Sequence, residues 1–336
     1  MAFDEARVMP DAAALAKVKA AIDTYNAQRP GMLVGLWQRQ INMLAPYAVI
    51  AGIIVLAILM KVEQPKILGF VVPALIGGGY LVWREGTRPM REFRQTLRDR
   101  MLPLIFKFAG RLKYANGVAP RFMARLPNPG LVRFGMARHD DLVSGIYEGM
   151  DFTLSEVRLS TGGKSDKTVF DGVILYFNPT YHFPGRLYAA KRLYGVSGFI
   201  DDLFGDMSLQ RISCGRADLD ESHEFRTDRP EEAGPLVTGP IVSMLDYLGD
   251  EWPEGTLRLA LVGADAFLMV PTSRDFFELP EMERDIDYEN DVLPMIRDLV
   301  MLLAMAKLVS RIGTVETASG EVGETATGEA GGGRAV

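Results

Sequence analysis

Two uncharged apolar runs, Met43–Met60 (MLAPYAVIAGIIVLAILM) and Ile67–Trp83 (ILGFVVPALIGGGYLVW), constrain this chain more than any other feature. As helices rising about 1.5 Å per residue they are roughly 25 to 27 Å long, close to the hydrocarbon thickness of a bilayer, about 30 Å. Neither run carries the polar stripe at helical period that a soluble core helix shows; both are apolar all round, as lipid requires. Only KVEQPK, Lys61–Lys66, lies between them. The expected structure over 43–83 is therefore a tight transmembrane hairpin with helices 43–60 and 67–83.

The flanking charge orients it. Arg29 and Arg39 precede the hairpin, and Arg84, Arg88, Arg91, Arg94, Arg98 and Arg100 follow it, against Lys61 and Lys66 in the connector. The positive-inside rule places both termini in the cytoplasm, making a multi-pass protein of a bacterial inner membrane. A cleaved leader is not expected: the apolar run starts late, and MAFDEARVMPD carries three acids where a leader has bases.

The net charge of −6 over 336 residues hides this division. Through Lys113 there are 16 basic and 8 acidic residues (+8); after it, 21 and 35 (−14). An acidic remainder argues against a nucleic-acid partner. The bilayer is the first partner expected, with protein partners at the membrane next and self-association open. The one cysteine, Cys214, excludes an intrachain disulfide framework and a thiolate zinc cage.

Five segments follow. Residues 1–42 hold a cytoplasmic amphipathic helix, Asp11–Gln28, capped by Asp11 and stopped by Pro30-Gly31. The hairpin occupies 43–83, with Pro73 and Gly77–Gly79 expected to kink its second helix. Residues 84–127 form a basic juxtamembrane helix and linker. Arg84, Arg88, Arg91, Arg94 and Arg98 are the membrane-surface residues, since a base near anionic lipid gains about 1 kcal/mol. Residues 128–312 read as a cytoplasmic α+β domain. There DLVSGIYEGMDFTLSEVRLS, TVFDGVILYFN and RLYAAKR form an antiparallel meander, followed by a short helix at Ser197–Leu203, an acidic strand or loop (RADLDESHEFRTD), a helix near Thr238–Leu248, two more strands and a helix over Glu289–Arg311. The tail, 313–336, repeats ETASGEVG as ETATGEAG and is too poor in apolar side chains to order itself.

No constellation specifies a reaction, and none calls for a cofactor. TGGKS at Thr161–Ser165 lacks the first glycine of a phosphate loop and leads into a strand, so it reads as a hairpin turn. The weak metal candidates are Asp218, Asp220, His223 and Glu224, with Glu221 among them; strand alternation sends neighbours to opposite faces. Asp140 with Asp141, and Asp201 with Asp202, are possible carboxylate pairs. His139 and His182 have no spacing that ties them to a nucleophile. Arg211 and Arg216 flank Cys214, a structural cysteine on this reading.

This order of parts resembles a bacterial family of membrane proteins, domain of unknown function family number 3137, sometimes labelled galanin-like. The resemblance spans about Met43 to Arg311. It is carried by Asp141-Leu-Val-Ser-Gly145, Gly149-Met-Asp-Phe-Thr-Leu-Ser-Glu156, Val169-Phe170-Asp171-Gly172, Phe183-Pro184-Gly185 and HEFRTDRPEEAGPLVTGPIV. It departs from the family where Gly234 replaces a basic residue and where Pro240 follows Gly239. The resemblance implies an inner-membrane protein with an α+β cytoplasmic domain and brings no catalytic residues. The function expected is a membrane-anchored interaction or regulatory module. The alternative is a membrane-bound hydrolase or metal-dependent enzyme using Asp140, Asp141 or the 218–224 cluster. Two short helices without an intramembrane charge make no transport pathway.

Overall fold

The computed structural model describes residues 7–61, 65–110, 112–191, 209–280 and 284–320. The expected helix at Ser197–Leu203, the pair Asp201 and Asp202, and the tail from residue 321 lie outside them. The protein is α+β, with a long apolar N-terminal helix and an antiparallel sheet domain. It divides into two compact units: Pro10–Ile105 with Leu279–Pro294, and Phe106–Glu278 with the chain from Met295 on.

In the helical unit, α1 runs Ala12–Lys61, α2 Pro65–Gly86 and α3 Arg88–Ile105. The first 50 residues of helix correct two expectations at once. The amphipathic segment and the first apolar run are a single helix, passing through Pro30 and Pro46 without a break. An interior proline costs about 3 kcal/mol by removing one N–H and crowding a carbonyl, and it leaves the rest of the ladder intact. Pro73 likewise sits inside a continuous α2. One stretch within Ala12–Leu56 is long and apolar enough to cross a membrane, and none of that apolar window is buried. Tyr47 of α1 lies over Gly78 and Gly79 of α2, where an added Cβ would come within 3.3 and 3.1 Å of its hydroxyl oxygen. The close approach thus uses these two glycines, while Gly52 and Gly77 face open space. Asn26 clamps the 279–294 segment by exchanging two hydrogen bonds with the backbone of Ile286 (2.9 and 3.0 Å).

Among the described residues of the other unit, nine strands form one sheet in the order β1-β2-β3-β4-β9-β8-β5-β7-β6, and each pairing is antiparallel. They are β1 Lys113–Asn116, β2 Met136–Tyr147, β3 Met150–Ser160, β4 Thr168–Phe177, β5 Phe183–Lys191, β6 Gln210–Ile212, β7 His223–Thr227, β8 Arg258–Gly263 and β9 Asp265–Pro271. The meander holds from β2 to β4, with Thr161–Lys167 as the polar turn. It does not continue into β5. The β8–β9 hairpin, whose strands are buried through most of their length, inserts between β4 and β5. The acidic segment also departs from expectation: Ala217–Ser222 is a helix, α4, and strand begins only at His223. Helices α5 Pro230–Val237 and α6 Pro240–Glu251 pack on β5, and α7, Leu293–Gly320, joins α6 through Arg297 and Glu251 (3.1 Å). Helix α7 carries past Gly313, where the ordered chain was expected to end.

Side-chain alternation gives the sheet two buried faces. Val157, Leu159, Ile174, Tyr176, Phe267 and Met269 pack with Phe122, Leu126 and Leu131 on one. Leu154, Val173, Leu175, Leu268 and Val270 fill the other, at no exposure. Where β4 and β9 meet, Gly172 has φ +147°, and a Cβ there would stand 2.3 Å from the Val270 carbonyl oxygen and 2.7 Å from Thr272 N. Both obstacles are backbone, so Gly172→Ala is expected to cost at least about 3 kcal/mol. A thermal melt that leaves the transition in place would contradict this reading of the β4–β9 contact.

Candidate functional site

Strand β2 carries one residue too many for its partner. His139 pairs with Val157 and Leu142 with Ser155, so Asp140 and Asp141 together oppose Glu156. Such a bulge re-aims the side chains around it. Here it points Asp141 inward: the residue has no exposure, and its carboxylate accepts from Tyr114 Oη (2.5 Å) and Asn116 Nδ2 (2.8 Å). Glu156 follows Phe152 and Leu154 at the period of two that puts a residue on their buried face. Asp275, in the loop after β9, is the third member. One carboxylate oxygen from each of Asp141, Glu156 and Asp275 lies within 4.8 Å of the other two. Among the described residues this is the one set of three or more His, Cys, Asp or Glu side chains that close together.

Three carboxylates at that spacing cannot all ionise comfortably. Glu156 takes the consequence. Burial, then the charge of Asp275, push its pKa up to about 8, and the N–H of Phe276, donating to Oε1 at 3.3 Å, only partly offsets this. Glu156 Oε2 is buried with no hydrogen-bond partner among the described residues. At neutral pH Glu156 holds its proton. The cluster can store that proton, or release it to admit a divalent cation held by oxygen ligands. His139 sits beside the bulge with Nδ1 buried, and burial lowers its pKa, so it is neutral.

Of the residues singled out from the sequence, Asp141 belongs to this cluster, while Asp140, its neighbour in the bulge, accepts from Asn116 Nδ2 (2.9 Å) instead; the candidates of 218–224 lie elsewhere. Asp218 pairs with Arg216 (2.6 Å), and Asp220 accepts from Cys214 N (2.8 Å) and Ser213 Oγ. Glu224 pairs with Arg226 (2.6 Å), and His223 Nδ1 meets Ser222 Oγ (2.9 Å). Six strand steps, about 29 Å at 4.8 Å each, separate β2 from β7, so Asp141 and His223 belong to no common centre. His182 is exposed before β5. Burial pushes the Cys214 thiol up, so its neighbouring arginines do not activate it. Arg84 and Arg88 are exposed and pair with Glu85 and Glu92; Arg98 is half-buried; the side chains of Arg91 and Arg94 lie outside the description.

A pocket of about 320 Å³ opens where β4, β8 and β9 end, lined by Phe170, Asp171, Glu254, Thr256, Arg258 and Ser273 among others. The Arg258 guanidinium lies 5.8 Å from the Phe170 ring centre and donates to the Leu131 carbonyl (3.4 Å). Burial lowers its pKa to about 10, which leaves it charged at neutral pH. Glu254 accepts from Ser273 N at 2.7 Å.

No family model matches the chain, and no curated protein matches it. Among solved structures, the chain is similar to the crystal structure of the mycobacterial trehalose monomycolate transport factor A. The TM-score is 0.35 and the identity 10%, over 62% of this chain and 96% of that one. A likeness of that size leaves function to the chain's own residues.

Proposed function

We propose that this chain is a membrane-anchored module of a bacterial inner membrane. On this reading α1 and α2 cross the bilayer as a hairpin, both termini are cytoplasmic, and the sheet domain serves interaction or regulation. The observation that carries it is the unburied apolar surface of α1, where Val49, Ile50, Ile53 and Leu56 are each more than half exposed. Fully burying one such side chain is worth about 1.5–3 kcal/mol, so a run of them in water is a cost that lipid removes. Trp37, Tyr80 and Trp83, all exposed, supply the aromatic belt at the side where the basic flanks lie. The resemblance to family number 3137 agrees with this arrangement.

Alkaline carbonate extraction tests the anchor, and a cysteine placed at position 63 tests the topology, since it should react with an impermeant reagent only from the periplasmic side. The interaction role is tested by affinity capture from solubilised membranes beside a version truncated after Glu85. Recovery of the same proteins by both sinks that role.

A second reading, a metal-dependent enzyme, draws its support from the convergence of Asp141, Glu156 and Asp275. A divalent ion entering there displaces the Glu156 proton, so its apparent affinity should rise up to about tenfold per pH unit and level off near pH 8. Calorimetric titration with Mn²⁺ should lose its signal in Asp141→Asn and keep it in His223→Ala. The opposite pattern would return attention to 218–224, and no heat in the unmodified protein would end the metal reading.

A further inference from the structure

We propose that the pocket where β4, β8 and β9 end binds a small monocarboxylate, with the ligand's carboxylate on Arg258 and its apolar part against Phe170. The proposal goes beyond the anchor and concerns a different place from the Asp141 cluster. Arg258 pairs with Ala190 of β5 and Met269 of β9, and opposite residues of neighbouring strands share a face. Arg258 therefore stands on the face of the sheet that Phe170, Ala260 and Met269 build, while Glu156 stands with Leu154 and Val173 on the other.

The pocket has a buried floor and an exposed rim. Phe170, Thr256 and Arg258 are 4%, 5% and 4% exposed, whereas Thr168, Glu254 and Ser273 are open to solvent. A full positive charge is thus held at the bottom of a space of about 320 Å³, at the lower end of the range for small-molecule sites. To a guanidinium already bonded to the Leu131 carbonyl and lying by the Phe170 ring, a carboxylate adds a charge-assisted, bidentate partner. Thr256 is the second, independent observation. Its hydroxyl oxygen is buried with no hydrogen-bond partner among the described residues, a state that costs stability and that a ligand oxygen beside Arg258 would relieve. The rim limits the ligand's charge. The Ser273 N–H holds the Glu254 carboxyl below the usual carboxylate range, so Glu254 is ionised, while Arg158 takes up the charge of Asp171 (2.6 Å). One arginine at the floor balances one carboxylate; the second charge of a dicarboxylate or a phosphate dianion would meet Glu254.

The full chain in detergent micelles, at neutral pH in a buffer free of carboxylate and phosphate, is titrated with straight-chain monocarboxylates from acetate to pentanoate and followed by ligand-observed NMR. Saturable binding is expected for at least one member of the series and not for its amide. Thr256→Val keeps the side chain's shape and should weaken that binding about fivefold to tenfold. Arg258→Lys keeps the charge but loses the planar fork, and should weaken it further. Glu254→Gln should tighten it about threefold and admit succinate. If Arg258→Lys shows no cooperative melt, the Thr256 and Glu254 variants carry the test. Four results would each overturn the proposal and leave the anchor standing: no saturable binding by any member, equal binding of acid and amide, tighter binding of inorganic phosphate than of the acids, or an affinity that neither Thr256→Val nor Glu254→Gln moves.

Discussion

Glu156→Gln is expected to leave the sheet domain about as stable as the unmodified protein at pH 5 and clearly more stable at pH 9. The folded-state pKa of Glu156, about 8, lies above the 4.5 of an unperturbed glutamate. Below 4.5 the proton is on in both states and linkage contributes nothing. Between 4.5 and 8 the folded protein binds a proton that the unfolded chain has released, so stability falls as pH rises, by up to about 1.4 kcal/mol per unit. Above 8 both states are ionised and the loss is complete. The whole shift corresponds to at most about 5 kcal/mol, and relaxation around a half-buried group reduces it; a difference of about 2 kcal/mol would still be a large part of a domain's stability. Gln copies the neutral carboxyl in shape and does not titrate. Urea unfolding followed through buried Trp252 at pH 5 and pH 9 measures both variants. Parallel pH profiles would show that Glu156 does not hold the proton.

The route to Glu156 shows what was legible in the chain. The strand pattern around it was readable, because apolar and polar residues alternate from Met150 to Leu154 and again from Val157 to Ser160, the phase changing at Ser155-Glu156. The strand also carries a local signal: Phe152, Leu154 and Glu156 share one face, so a glutamate stands in register with two core residues. Its partners were not readable. Asp141 reaches it through a bulge that no turn residue announces, and Asp275 arrives from a loop beyond β9. Sheet order failed for a related reason. Each strand was visible from its own residues, but which edge the β8–β9 hairpin occupies depends on how all the apolar faces fit at once.

Helix α1 errs in the other direction. Its apolar run needed only composition, whereas Pro30-Gly31 looked like a stop and was not one. Local punctuation sets a cost of a few kcal/mol, and the hydrogen-bonded ladder of a 50-residue helix continues on both sides of it. In α4 the same competition favoured the helix: acids that alternate acceptably along a strand also serve the first turn of a helix, where Asp218 and Asp220 stand.

Ile53→Arg should remove most of the protein from the carbonate-resistant membrane fraction. Ile53 is 62% exposed and sits inside the uncharged run, ten residues from Met43 and seven from Met60, or about 15 and 10 Å along the helix. Those distances place it near the middle of the hydrocarbon. Arginine at a helix centre costs about 2.5–3.5 kcal/mol on insertion scales, a factor of roughly 100 in the inserted-to-excluded ratio. On a surface facing water the same exchange changes stability by no more than about 0.5 kcal/mol and improves solubility. The two environments therefore predict opposite outcomes for one substitution. Ile41→Arg is the matched control: it is 58% exposed and two residues from Arg39, so its guanidinium reaches the headgroups by extending along the helix, and membrane retention should survive. Retention of Ile53→Arg at the level of Ile41→Arg would mean that the exposed face of α1 meets something other than lipid, and the acidic sheet domain would then need a different explanation for being joined to it.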